Sequence, residues 1–97
     1  MTDKAWKRSE RQIAERLGSK RNPNDGSHKS DINTETHAVE VKTRKTLPAW
    51  LKDAVAQSKR AAKVDETPIV VLAEVRQGVA AKRYVVMDFD DFTDWYV

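Results

Sequence analysis

The sequence predicts an α/β protein in which a mixed β-sheet is flanked by helices in the order αββαββα. Three observations predict it. Residues 4–17 and 47–63 carry apolar side chains at the 3.6-residue spacing of a helix. Ala38-Val39-Glu40-Val41-Lys42-Thr43 alternates as a half-buried strand does, while Pro68-Ile69-Val70-Val71-Leu72-Ala73 is the nearly continuous apolar run of a strand covered on both faces. Turn formers separate these segments, which gives a layered α/β order and not an all-helical one.

In the first helix Trp6, Ile13 and Leu17 lie within about 40° of one another at 100° per residue, Ala14 edges the stripe, and Gly18 stands in the C-terminal cap position. Residues 19–30, rich in Ser, Asn, Asp, Gly and Pro and without periodicity, read as a loop. Residues 31–33 and 37–43 then make a hairpin. With its turn centred between Glu35 and Thr36, Ile32 pairs with Val39 and Asp31 with Glu40. In the helix over 47–63, with Thr46 as a possible cap, Leu47, Trp50, Leu51, Ala54, Val55, Ser58, Ala61 and Ala62 form the apolar stripe. Gly78 marks a turn, Tyr84-Val85-Val86-Met87 a second buried strand, and residues 88–97 a short acidic helix with Phe89, Phe92 and Trp95 or Tyr96 facing inward.

Ninety-seven residues suit one domain spanning 1–97. The absence of cysteine excludes a disulfide scaffold and a Cys-ligated zinc site. No apolar run approaches the roughly 20 residues that span a bilayer, and the polar Met1–Glu10 segment is no signal peptide. A soluble cytoplasmic protein without a membrane partner is the expectation. The net charge of +3 is unevenly spread. Residues 1–63 hold 15 Lys and Arg against 8 Asp and Glu, and residues 64–97 hold 3 against 7. One basic section suits a polyanionic partner.

The pattern that carries chemistry is Asp31 with Glu40-Val41-Lys42 nine to eleven residues on. Opposed residues in a hairpin share a face, so this register sets two carboxylates side by side with Lys42 one step along. Like charges so placed weaken a hairpin, and a metal ion accounts for the placement. Mg²⁺ takes one or two carboxylates plus waters, and the Val41 carbonyl is close enough in sequence to add an oxygen. Lys42 is positioned to orient or deprotonate an attacking water, or to neutralise a phosphate. Taken alone, a Glu-x-Lys on a strand is an exposed ion pair of little worth. The upstream Asp31, the flanking valines and the following helix favour the metal reading.

Glu10 interrupts the apolar stripe of the first helix about 40° from Trp6. An unpaired buried charge is costly, so a metal-bound water or Lys42 is its expected partner. Gln57 borders the stripe of the second long helix. Lys20, Arg21, Lys29, Arg44 and Lys45 bracket the acidic cluster and suit phosphate contacts, which give affinity without sequence reading. His28 and His37 lack a metal-ligand spacing and read as surface residues, although His28 is near enough to Asp31 in sequence to reach a phosphate.

Glu10 on the first helix, Ser30-Asp31, Glu40-Val41-Lys42 and Gln57 together resemble the PD-(D/E)xK nuclease superfamily, and within it the archaeal-type Holliday junction resolvases and small phage endonucleases. Ser30 stands where that family usually has proline. The resemblance implies a restriction-endonuclease-like core and a Mg²⁺-dependent endodeoxyribonuclease, with Mn²⁺ as a substitute metal. It makes Asp31 and Glu40 metal ligands, with Val41 beside them, Lys42 the catalytic lysine, and Glu10 a further acidic residue positioning metal or water. Ser30 and Gln57 join the basic residues as DNA contacts. It also implies a homodimer, because symmetric cutting of a four-way junction needs two sites across a twofold axis. A phage nuclease without junction preference, and a relative that binds DNA without cutting it, are the alternatives. With no room for a recognition module, shape-selective cutting is expected over sequence-specific cutting.

Overall fold

A computed structural model describes residues 4–96. It is a small α/β protein with three helices and two small antiparallel sheets: α1 (Ala5–Arg16), β1 (Ile32–Asn33), β2 (Ala38–Val39), α2 (Ala49–Ala61), β3 (Val70–Glu74), β4 (Lys82–Val86) and α3 (Phe89–Tyr96). The element order is the expected one. The pairing is not that of one mixed sheet, because β1–β2 and β3–β4 are each two-stranded and antiparallel. Contacts gather the chain into two compact units, Met1–Lys45 and Thr46–Val97.

In the first unit α1 ends as its sequence demands. Gly18 has φ +70°, its N–H donates to the carbonyl of Glu15 (3.0 Å), and Ser19 N–H donates to the carbonyl of Ala14 (2.8 Å). This is the Schellman arrangement, in which the left-handed residue is best a glycine. Ser19 Oγ then donates to the carbonyl of Asn33 (2.6 Å), tying the helix exit to β1. The hairpin holds the expected Ile32–Val39 register, followed by Asn33–Ala38, and Thr34 N–H closes its turn on the carbonyl of His37 (2.8 Å). On the other side of β1 an isolated antiparallel bridge joins Arg21 to Ile32. Ile32, flanked on both sides, is fully buried, and with Ala14 and Leu17 it is shut away from solvent. Burial of that one isoleucine stabilises by about 1.5–3 kcal/mol.

In the second unit α2 begins two residues later than expected. Pro48, not Thr46, holds the cap position, since proline's fixed φ and missing N–H suit the start of a helix. Leu47 therefore precedes the helix. Trp50, placed on the apolar stripe by its spacing, is 60% exposed. The helix packs on β3, which pairs with β4 from Val70–Val86 to Glu74–Lys82. Val71 and Val85, opposite each other in that ladder, are more than half exposed. The expectation of strands covered on both faces is thus not met, because a two-stranded ladder offers α2 a single face. Asp88 immediately precedes α3, and its Oδ1 accepts from Asp90 N–H (2.8 Å). Phe92 stacks on Phe89 and on Tyr96, with centroids 6.3 and 5.4 Å apart. Tyr96 is half-buried and Trp95 is exposed, so Tyr96 takes the inward place. No helix among the described residues is long and apolar enough to cross a membrane.

Candidate functional site

The bridge at Arg21 and the hairpin wrap the loop over 19–31 around one side of α1. Asn22 fastens it: its N–H donates to the carbonyl of Asp31 (2.8 Å), and its Nδ2 donates to the carbonyl of Ser30 (3.0 Å) and to Asn33 Oδ1 (2.8 Å). Ser30 Oγ donates to the same Asn33 Oδ1 (2.9 Å). The loop and helix enclose a cavity of about 360 Å³, whose walls include Glu10, Asp31 and Glu40 together with Trp6, Arg21, His28, Lys29 and Ser30. Three of the carboxylates singled out in the sequence thus share one space.

Asp31 is not squarely opposite Glu40 as the regular register requires. Its N–H donates to the carbonyl of Val39 (3.0 Å), the residue already paired with Ile32, so the ladder slips by one residue there. The effect is that of a bulge, which re-aims a side chain at the end of a pairing. The Asp31 carboxylate reaches past Glu40, and its Oδ2 accepts from Val41 N–H (2.7 Å). That bond holds the Glu40–Lys42 segment against Asp31 beyond the end of the ladder and leaves Oδ1 for other ligands. Lys42 Nζ lies 3.3 Å from Glu40 Oε2, although both residues follow β2, which ends at Val39 and not at Thr43 as the alternation predicts. Both are well exposed, and Lys42 is not among the cavity's walls.

Glu10 is 5% exposed. Its protein partner is Arg21 and not Lys42: Arg21 Nε donates to Glu10 Oε1 at 3.1 Å. The guanidinium carbon lies 5.4 Å from the centre of the Trp6 ring, and Lys7 Nζ lies 5.5 Å from that centre. Arg21 therefore joins α1 to the loop by charge and by its ring contact. A phosphate contact from Arg21 would have to share the guanidinium with Glu10. Arg21 was legible as a basic loop residue, but not as the partner of Glu10 or of the Trp6 ring.

Among the other basic residues, Lys29 borders the same cavity. Lys20 lines a second one of about 300 Å³ with Arg11, Glu15, Ser19 and Arg21. Arg44 and Lys45 are exposed after the hairpin, and Gln57 is exposed on α2. His37 is exposed, its Nδ1 2.6 Å from Thr36 Oγ1. His28, read from sequence as a surface residue, is exposed but stands on the cavity wall. The run Asp25-Gly26-Ser27-His28 is the signal that could have found it, since an Asp two residues before a Ser forms a side-chain turn.

Among the described residues no three His, Cys, Asp or Glu side chains are grouped so as to hold a metal by themselves. A magnesium ion does not require three, because it keeps several of its waters and uses one or two carboxylates. The donors around this cavity are hard oxygens, the kind it takes. Comparison with protein-family models, with curated proteins and with solved structures gave no match.

Proposed function

We propose that the chain is a Mg²⁺-dependent endodeoxyribonuclease of the PD-(D/E)xK kind, with a restriction-endonuclease-like core, that cuts branched DNA such as four-way junctions as a cytoplasmic homodimer. The observation that carries this reading is the meeting of Glu10, Asp31 and Glu40 around one cavity that Lys29 also borders.

Asp31 and Glu40, with the Val41 carbonyl, would hold the metal, and Mn²⁺ would serve in its place. Bound there, the ion would neutralise charge on the phosphoryl oxygens and make water a better nucleophile. Glu10, kept in place by Arg21, accepts a hydrogen bond from the attacking water. Lys42, anchored through the Asp31–Val41 bond, neutralises the phosphate or takes the water's proton. Lys20, Lys29, Ser30, Arg44, Lys45 and Gln57 supply DNA contacts, those of Lys20, Lys29, Arg44 and Lys45 being to the backbone charge. Junction selectivity and dimerisation rest on the family resemblance.

The test is a Mg²⁺-dependent cleavage assay on a four-way junction and a linear duplex of the same sequence, with the oligomeric state followed by light scattering. Symmetric cutting of the junction by a dimer is expected. Equal cutting of the linear duplex would leave a nuclease without junction preference, and tight binding with no cutting would leave a DNA-binding protein.

A further inference from the structure

We infer that His28 donates a proton to the leaving oxygen of the hydrolysed phosphodiester, with Ser27 and Asp25 as its positioning residues. This inference rests on the nuclease reading, which assigns the attacking water to Glu10 and Lys42 but gives the leaving oxygen no donor.

The argument is one of hydrogen-bond arithmetic. Ser27 Oγ donates to Asp25 Oδ1, and Ser27 N–H donates to the same oxygen (2.9 Å). A serine hydroxyl has one proton, and here it is directed at Asp25. The contact of 2.8 Å between Ser27 Oγ and His28 Nδ1 must therefore be made with the ring's proton, so Nδ1 is the donor. Nε2 is then the ring nitrogen left for a further partner. Ser27 acts as a relay and not as a nucleophile, because its proton is held by the carboxylate and not drawn off by the imidazole. The Ser27 hydrogen bonds, side chain first and then backbone, and the nearby His28 hold the Asp25 carboxyl below its usual range. Asp25 is thus an ionised acceptor at neutral pH.

His28 stands on the wall of the cavity that Asp31 and Glu40 share. The charged groups around it there are Glu10 from α1, Arg21, Lys29 and Asp31 from the loop, and Glu40 after β2, with Asp25 behind Ser27. Histidine is the side chain that carries a proton to and fro near neutral pH. In the step, the water oxygen bonds to phosphorus and its proton passes to solvent, by way of Lys42 where that side chain takes it. The bond from phosphorus to the leaving oxygen breaks, that oxygen keeps the electron pair and takes the Nε2 proton, and solvent reprotonates Nε2.

Two measurements on the full chain test this. Nitrogen NMR of the His28 ring in the metal-free protein should show the Nδ1–H tautomer, shifting toward Nε2–H in Ser27→Ala; an Nε2–H ring in the wild type would overturn the relay. In Mg²⁺-dependent cleavage, His28→Gln should be slower by about 10²–10³-fold. A substrate with sulfur bridging at the leaving position, which needs no proton to depart, should restore His28→Gln to within a few-fold of wild type. An equal deficit on both substrates, or a His28→Gln rate equal to wild type, would overturn the role of His28 alone. A wild type that cuts neither substrate would instead overturn the nuclease reading.

Discussion

Arg21 Nε lies 3.1 Å from Glu10 Oε1, joining the loop to the first helix through a glutamate whose side chain is 7% exposed and an arginine whose side chain is 16% exposed. Removing one partner of a pair so enclosed leaves the other charged and desolvated. Arg21→Ala should therefore destabilise the protein by about 2–4 kcal/mol, measured by urea unfolding. Glu10→Gln combined with Arg21→Ala should recover part of that loss, since the uncompensated charge is gone. A double variant as unstable as the sum of the two single variants would refute the coupling.

Lys42 presents the opposite case. Its ion pair with Glu40 is exposed on both sides, and such pairs contribute about 0–1 kcal/mol. Lys42→Ala should leave the urea midpoint nearly unchanged while cutting turnover by about 10²–10⁴-fold, the range for a group that moves or orients a proton. A large loss of stability in that variant would mean that Lys42 is structural.

The pair of Asp88 and Lys59 predicts a pH dependence. Asp88 accepts from Asp90 N–H at the start of α3 and meets Lys59 Nζ at 3.3 Å. The Asp90 backbone bond, then Lys59, hold the Asp88 carboxyl below the usual 3.8, and Asp88 raises Lys59 above 10.5. A depressed carboxyl pKa stabilises above its unfolded value and loses that stabilisation as pH falls through the folded one. A raised lysine stabilises below its unfolded value and loses that stabilisation as pH rises through the folded one. The contribution should be level from about pH 5 to 9 and fade outside that window. Asp88→Ala should cost about 1 kcal/mol at pH 7, as loss of a helix cap does, and less at pH 3, below the usual carboxylate value. Thermal melts of both proteins at the two pH values check this; a difference unchanged at pH 3 would contradict it.

The hairpin shows what the sequence can and cannot disclose. Alternation and the turn residues are local signals, and they place Ile32 against Val39 as found, although the strand ends at Val39 and not at Thr43. The slip at Asp31 was not legible, because it depends on a competition between acceptors. The Asp31 amide takes the Val39 carbonyl, and its carboxylate takes the Val41 amide. Gly18 was legible as a cap because only its φ decides the matter. The partner of Glu10 was not, because Arg21 is brought to it by the Arg21–Ile32 bridge and the Asn22 fastening, neither of which leaves a periodic trace. Trp50 and the outer face of β3 and β4 were misjudged from apolar spacing, which reports which residues are able to be buried and not how many layers cover them.

The most direct test of the proposed chemistry is the Mg²⁺-dependent cleavage rate of Asp31→Asn. The amide oxygen of asparagine can still accept from Val41 N–H, so the hairpin end should keep its fastening and the fold should be retained by circular dichroism. Loss of the carboxylate's charge should lower the rate by on the order of 10²–10³-fold, the several kcal/mol that a bound metal contributes. Wild-type cleavage by a folded Asp31→Asn protein would contradict the account.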